Sequence, residues 1–112
     1  MRTPTISIDT SAETAVIKVS GALDIMSSHL FADAIAIAGT EPIVLVSLEE
    51  CSYLDSTILS VLLRHARIMR ERLVLFVPYD SCVRRMLEIC KLDELLHVVS
   101  TPPKPSVRIC PL

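Results

Sequence analysis

The stretch PIVLVSLEECSYLDSTILSVLL, residues 42–63, changes its apolar rhythm once, and that change decides the architecture. Residues 42–48, PIVLVSL, are Ile, Val and Leu apart from Pro42 and Ser47, the pattern of a strand covered on both faces. From about Ser56 to Arg70 the apolar positions Ile58, Leu59, Leu62, Leu63, Ala66 and Met69 recur three or four apart, which is the period of a helix face. Ser56, Ser60, Arg64, Arg67 and Glu71 fall on the other side. A strand therefore feeds a helix, and YLDST (53–57) is the junction.

The alternation continues outward in both directions. Downstream, LVLFV (73–77) reads as a second buried strand, adjacent and parallel to residues 43–48 and closed by Pro78. A helix from Ser81 to Cys90 turns Val83, Met86, Leu87 and Cys90 inward and Arg84, Arg85, Glu88 and Lys91 outward. HVVS (97–100) adds a short last strand. Upstream, residues 4–8 and 14–20 form a hairpin with alternating Ile6 and Ile8, then Ala15, Ile17 and Val19, ended by Gly21. Between Ser27 and Ala38 a helix carries Leu30, Phe31, Ala34, Ile35 and Ala38, with Ser27 as its cap and Gly39 at the left-handed position past its end.

The resulting order, β-β-α-β-α-β-α-β, implies parallel pairing through right-handed crossovers. The expected class is α/β: one small domain over residues 1–101, with a mixed sheet of N-terminal hairpin plus parallel strands and about three to four flanking helices. Residues 102–112 hold four of the seven prolines and read as an irregular tail, because proline removes ladder donors. The crevice at the carboxyl ends of the parallel strands is the expected functional region, and ECSYLDST leaves its strand there.

Composition narrows the function classes. The chain has 112 residues, 51% of them hydrophobic, enough for a core without metals or disulfides. A formal charge of -2 argues against a nucleic-acid partner, which calls for an excess of Lys and Arg gathered in a patch. No run approaches the roughly 18 apolar residues of a membrane span, and the N-terminus turns polar too early for a secretory signal. A cytoplasmic protein is expected, with Cys51, Cys82, Cys90 and Cys110 as free, mostly buried thiols.

Helical phase puts Ser56 at an exposed helix N-terminus, where backbone N–H groups and the dipole tolerate negative charge. Asp and Ser are ordinary capping residues, so capping by itself accounts for both. A phosphate on Ser56 adds about -1.5 to -2 of charge beside Asp55 and repels a partner fitted to the neutral hydroxyl.

VSLEECSYLDSTILSVLL resembles the signature of the STAS domain family, the sulphate transporter and anti-sigma factor antagonist domains, in which a pattern like LNLEDLSFMDSSGLGVLL leads from strand to helix. Leu48, Ser52, Tyr53, Asp55, Ser56, Leu59 and Leu62 match it. Upstream, VSGALD resembles the family's L-x-G-x-L-D through Gly21, Leu23 and Asp24. The resemblance covers about residues 5–100. It implies a protein-binding regulator and not an enzyme, a bacterial anti-sigma factor antagonist whose partner is an anti-sigma factor with serine kinase activity. It further implies Ser56 as phosphoacceptor, with Thr57 as the alternative hydroxyl, and a partner-binding face of Asp24, Asp55, Ser56, Thr57, Ser60 and Arg64. The alternative within the family is a constitutive accessory subunit or regulator, for example of a transporter ATPase. Two family glycines are Ile58 and Ser60 here; Ile58 puts bulk in the first helical turn, where a partner would approach.

Other chemistry finds little support. His29, His65 and His97 lack metal-ligand spacing, and Ser56 lacks a nucleophile elbow. Cys82 sits near a helix start, where a thiolate is favoured, yet packing explains it as well. There is no Gly-rich phosphate loop, which leaves nucleotide binding as a minor alternative, and no cofactor, metal or catalytic residue is expected.

Overall fold

The structure is a computed structural model and describes residues 4–101. The strands are β1 (Thr5–Ser11), β2 (Thr14–Leu23), β3 (Ile43–Leu54), β4 (Leu73–Phe76) and β5 (His97–Val99). The helices are α1 (Ser28–Ala38), α2 (Ser56–Met69) and α3 (Cys82–Ile89), with short 3-10 turns at Ile25–Ser27, Arg70–Arg72 and Leu92–Glu94. The five strands lie side by side in chain order. β1 and β2 pair antiparallel, and every later neighbour is parallel. This is the mixed α/β sheet that the alternation of periods implied. The Pro-rich tail and Cys110 lie outside the described residues.

Strand order explains the burial pattern. Right-handed crossovers that step the same way from β2 to β5 bring α1, α2 and α3 to one face. On that face Ala15, Ile17, Val44, Val46, Leu73 and Leu75 are buried, and Phe31, Ile35, Ile58, Leu62 and Leu87 pack above them. The opposite face is only partly covered: Val16, Leu45 and Val74 are half-buried, and Lys18 and Ile43 are exposed. The expectation of strands sealed on both faces therefore fails at Leu45 and Val74, although Phe76 on that same side is buried.

Three local expectations are corrected. Gly21 does not end β2; it sits inside the strand at φ 88°, between register shifts that bulge the pairing with β3. A Cβ there would meet the Pro4 Cα at 3.3 Å, so only glycine suits both backbone and space. Gly39 ends α1 in ordinary right-handed geometry, with φ -68°. Cys90 lies past the end of α3 and is exposed, as is Cys82, so of the described cysteines only Cys51 is buried, and all three are free.

One side chain ties the α1–β3 connection to the start of β4. Arg72 donates from Nε to the Pro42 carbonyl at 3.0 Å, and from one terminal nitrogen to the carbonyls of Gly39 at 2.7 Å and Glu41 at 2.8 Å. The carbonyls past a helix C-terminus lack intrahelical donors, and a guanidinium fork supplies them. Arg84 makes a smaller tie, donating to the Val77 carbonyl and Ser100 Oγ while lying over the Tyr79 ring.

Candidate functional site

β2 and β3 end together. Leu23 pairs with Leu54, and the Asp55 amide donates to the Leu23 carbonyl at 3.2 Å, so Asp24 and Asp55 leave the sheet as neighbours. β3 reaches this point because it continues to Leu54, six residues beyond the apolar run that announced it. Each aspartate then caps the turn that follows. Asp24 Oδ1 accepts from the amides of Met26 and Ser27 at 3.0 and 3.3 Å, and from Ser27 Oγ at 3.0 Å. Ser27 Oγ in turn accepts from the Asp24 amide, closing a reciprocal capping box in the 3-10 turn. Ser27 thus serves Asp24; it makes no side-chain cap for α1, contrary to expectation.

Asp55 does the same for α2. Its Oδ1 accepts from the amides of Thr57 at 2.9 Å and Ile58 at 3.3 Å. This settles which residue caps the helix. Ser56, the first helical residue, has no capping task; its hydroxyl is exposed and makes no hydrogen bond within the described residues. Thr57 is half-buried. The amides that a phosphate on Ser56 would have sought are already occupied by Asp55. A phosphate on Ser56 would add its charge beside the Asp55 carboxylate, whose Oδ1 already holds the amides of Thr57 and Ile58.

Replacing the cap isolates its contribution. Asp55→Ala is expected to lose about 0.5–2 kcal/mol of unfolding free energy, while Ser56→Ala stays within about 0.5 kcal/mol of wild type, as surface changes do. Urea denaturation of both variants checks this, and an equal loss from Ser56→Ala would return the capping role to the hydroxyl.

The structure brings Asp24, Asp55, Ser56 and Thr57 to one end of the sheet. Ser60 lies one turn along the exposed face of α2. Arg64 shares that face, but eight residues of helix place it roughly 12 Å further along the axis, too far to touch the Ser56 hydroxyl. Ile58 is fully buried in the core, so the bulk that replaces the family glycine points away from any partner. Sequence reasoning missed Ile25 and Met26 and took Tyr53 only as a signature match; all three are large apolar side chains exposed around the same end. The available signal was that Ile25 and Met26 follow the capping aspartate and fit no helical stripe.

Cys51 lies under this end. Burial pushes its thiol up from the ordinary value, with Cys82 adding to that shift, while Cys82 donates to the Ser52 carbonyl at 3.2 Å. Among the described residues, no three His, Cys, Asp or Glu side chains are grouped to hold a metal ion. No helix there is long and apolar enough to cross a membrane.

Comparison with known proteins places this geometry. The family model described as Mlab, STAS domain, matches residues 6–99. No curated protein matches the sequence. An anti-sigma factor antagonist from Mycobacterium paratuberculosis superposes with a TM-score of 0.72 at 22% identity, covering 88% of this chain and 87% of that one. The unphosphorylated form of the anti-sigma factor antagonist SpoIIAA superposes at 0.69 with 18% identity, over 96% of this chain and 100% of that one. The phosphorylated form of SpoIIAA, a Bacillus cell fate determinant, gives 0.65 at 20% identity, over 94% and 96%.

Proposed function

The chain belongs to the STAS domain family, and from that premise we propose that it is an anti-sigma factor antagonist: a binding module, not an enzyme, that captures a serine kinase acting as an anti-sigma factor. The kinase transfers the γ-phosphoryl group of ATP to Ser56 Oγ, releasing ADP and the hydroxyl proton, and the phosphorylated chain lets go. One observation carries this reading. Asp55 performs the capping, so the Ser56 hydroxyl is free and exposed, at the end of the sheet where Ile25, Met26 and Tyr53 are exposed too. A residue with no structural duty at such an end is available for modification. Thr57, half-buried behind it, is the poorer acceptor.

A second reading keeps the same face but dispenses with phosphate: a constitutive accessory subunit or regulator, for example of a transporter ATPase. Its support is that the matching family model carries the Mlab description and not that of the anti-sigma factor antagonists.

The two readings separate in one experiment. Wild type, Ser56→Ala and Ser56→Asp are mixed with ATP and the kinase captured by affinity from the source cells, and phosphate transfer and complex formation are measured. The switch reading expects phosphate on Ser56 of wild type, none on Ser56→Ala, and binding by Ser56→Asp weakened about tenfold or more by added charge beside Asp55. Undiminished binding by Ser56→Asp together with no phosphate on any chain would establish the constitutive module instead. Phosphate confined to Thr57 would remove Ser56 from its role.

A further inference from the structure

α1 carries two apolar stripes, and the fold uses one. Phe31, Ala34, Ile35 and Ala38 enter the core, whereas Leu30 and Ile37, seven residues apart on the flank, are 55% and 65% exposed. Met26 extends the flank at 78% exposure. Across from it runs β1, the edge strand, whose Ile6 and Ile8 pair with the buried Val19 and Ile17 and so share the helix-covered face of the sheet. An open trough of about 780 Å³ lies between α1 and β1. Asp24 and Asp33 stand in it, and Asp55, Ser56 and Thr57 do not line it.

We propose that this trough is the docking site for an amphipathic helix of a partner protein, one with apolar residues at i, i+3 or i+4, and i+7 and lysine or arginine beside them. Shape supports a helix. The helix layer ends at α1, which packs over both β1 and β2, and among the described residues no helix flanks its outer side, so one more helix at an interaxial distance of about 8–10 Å would extend the layer past the sheet edge, resting on the exposed Ile8. Leu30 and Ile37 supply a ridge at helical spacing for it to pack against.

Charge identifies the helix as basic. The charged residues that line the trough are Asp24 and Asp33, with no lysine or arginine among the described residues of its lining. A fatty acid or anionic lipid would bring its headgroup to Asp24 and Asp33. A second copy of this chain would bring the same acids to each other. Half-open walls also suit a helix lying lengthwise better than an enclosed small molecule. The proposal does not depend on phosphorylation of Ser56.

The chain contains no tryptophan, so a peptide carrying one is seen without background. The probe is a synthetic 18-residue helical peptide with leucines at i, i+3, i+4 and i+7, flanking lysines and a single tryptophan; its twin has glutamate for every lysine. Titrated with the full chain, the lysine peptide is expected to bind, to weaken as salt is raised, and to shift backbone amide resonances of residues 6–8 and 26–37. The glutamate peptide is expected not to bind. Leu30→Lys and Ile37→Lys, both at exposed positions, are expected to cut affinity at least about tenfold, as loss of a central apolar anchor does, with thermal midpoints unchanged. Asp33→Asn is expected to lessen the salt dependence without repacking anything. Equal binding of the two peptides, amide shifts confined to other surfaces, or absence of binding would overturn the proposal. Self-association of the chain abolished by Leu30→Lys would overturn it too, by giving the trough to a second copy.

Discussion

Restoring the family glycine at position 58 will destabilise this protein severely: Ile58→Gly is expected to lose about 3–6 kcal/mol of unfolding free energy. That figure combines roughly 2–5 kcal/mol for emptying a core isoleucine site with about 1 kcal/mol for glycine within a helix. Ile58 is fully buried and packs in the main core cluster, with its amide held by Asp55. Small domains are stable by only about 5–15 kcal/mol, so the variant stands near the threshold of folding. Ser60→Gly, the other restoration, is the control. Ser60 is exposed, and its replacement costs only the helix-propensity difference, about 0.5 kcal/mol. Urea midpoints of the two variants measure the contrast. A loss below about 2 kcal/mol at position 58 would mean that the surrounding side chains collapse into the space.

Arg72→Ala is expected to cost about 2–4 kcal/mol. Three hydrogen bonds from one cation reach the carbonyls of Gly39, Glu41 and Pro42, and hydrogen bonds to charged groups contribute about 1.5–3 kcal/mol each when nothing replaces them. Water replaces part here, because Arg72 is only half-buried. Arg72→Lys should recover less than half, since a point-like ammonium cannot reproduce the planar fork. Denaturation gives the energy, and amide exchange at residues 39–43 locates it. Equal stability of the lysine variant and wild type would show that charge alone, without fork geometry, holds the connection.

Element order was legible in the sequence because the periods are clean. The runs at residues 42–48 and 73–77 are short and rich in β-branched residues, which reads as strand, and the α2 stripe from Ile58 to Met69 keeps the helical period. What stayed hidden has one origin: periodicity describes a single element, not its neighbours. The continuous apolar runs look alike whether one or two faces are covered. Only the chain-order arrangement of strands reveals that Leu45 and Val74 lie on the thinner side. β3 continues through Glu49, Glu50 and Ser52 because β2 runs beside it, and β3 takes up one extra residue on each side of the Gly21–Cys51 pairing. Those polar residues hid the extension. At the site, Asp55 and Ser56 were both plausible caps from their side chains; geometry assigned the task to Asp55 and thereby freed Ser56. Val61, buried on α2, fell outside the chosen stripe because the helix is covered over a wider arc than its strongest periodicity suggested.

The side-by-side strand order also governs how the molecule comes into being. Ile17 pairs with Val46, Val46 with Leu75, and Leu75 with Val98, so each contact after the first hairpin must close a loop containing a whole helix. Such separations place the folding rate of a mixed α/β domain between those of helical bundles and all-β barrels. Because spatial order equals chain order, the sheet can assemble in the direction of translation, each emerging strand adding to the edge its predecessor has just created. A nascent chain never needs to insert a late strand between two early ones. The last to arrive, β5, spans three residues, and so short an edge gives another chain little to extend.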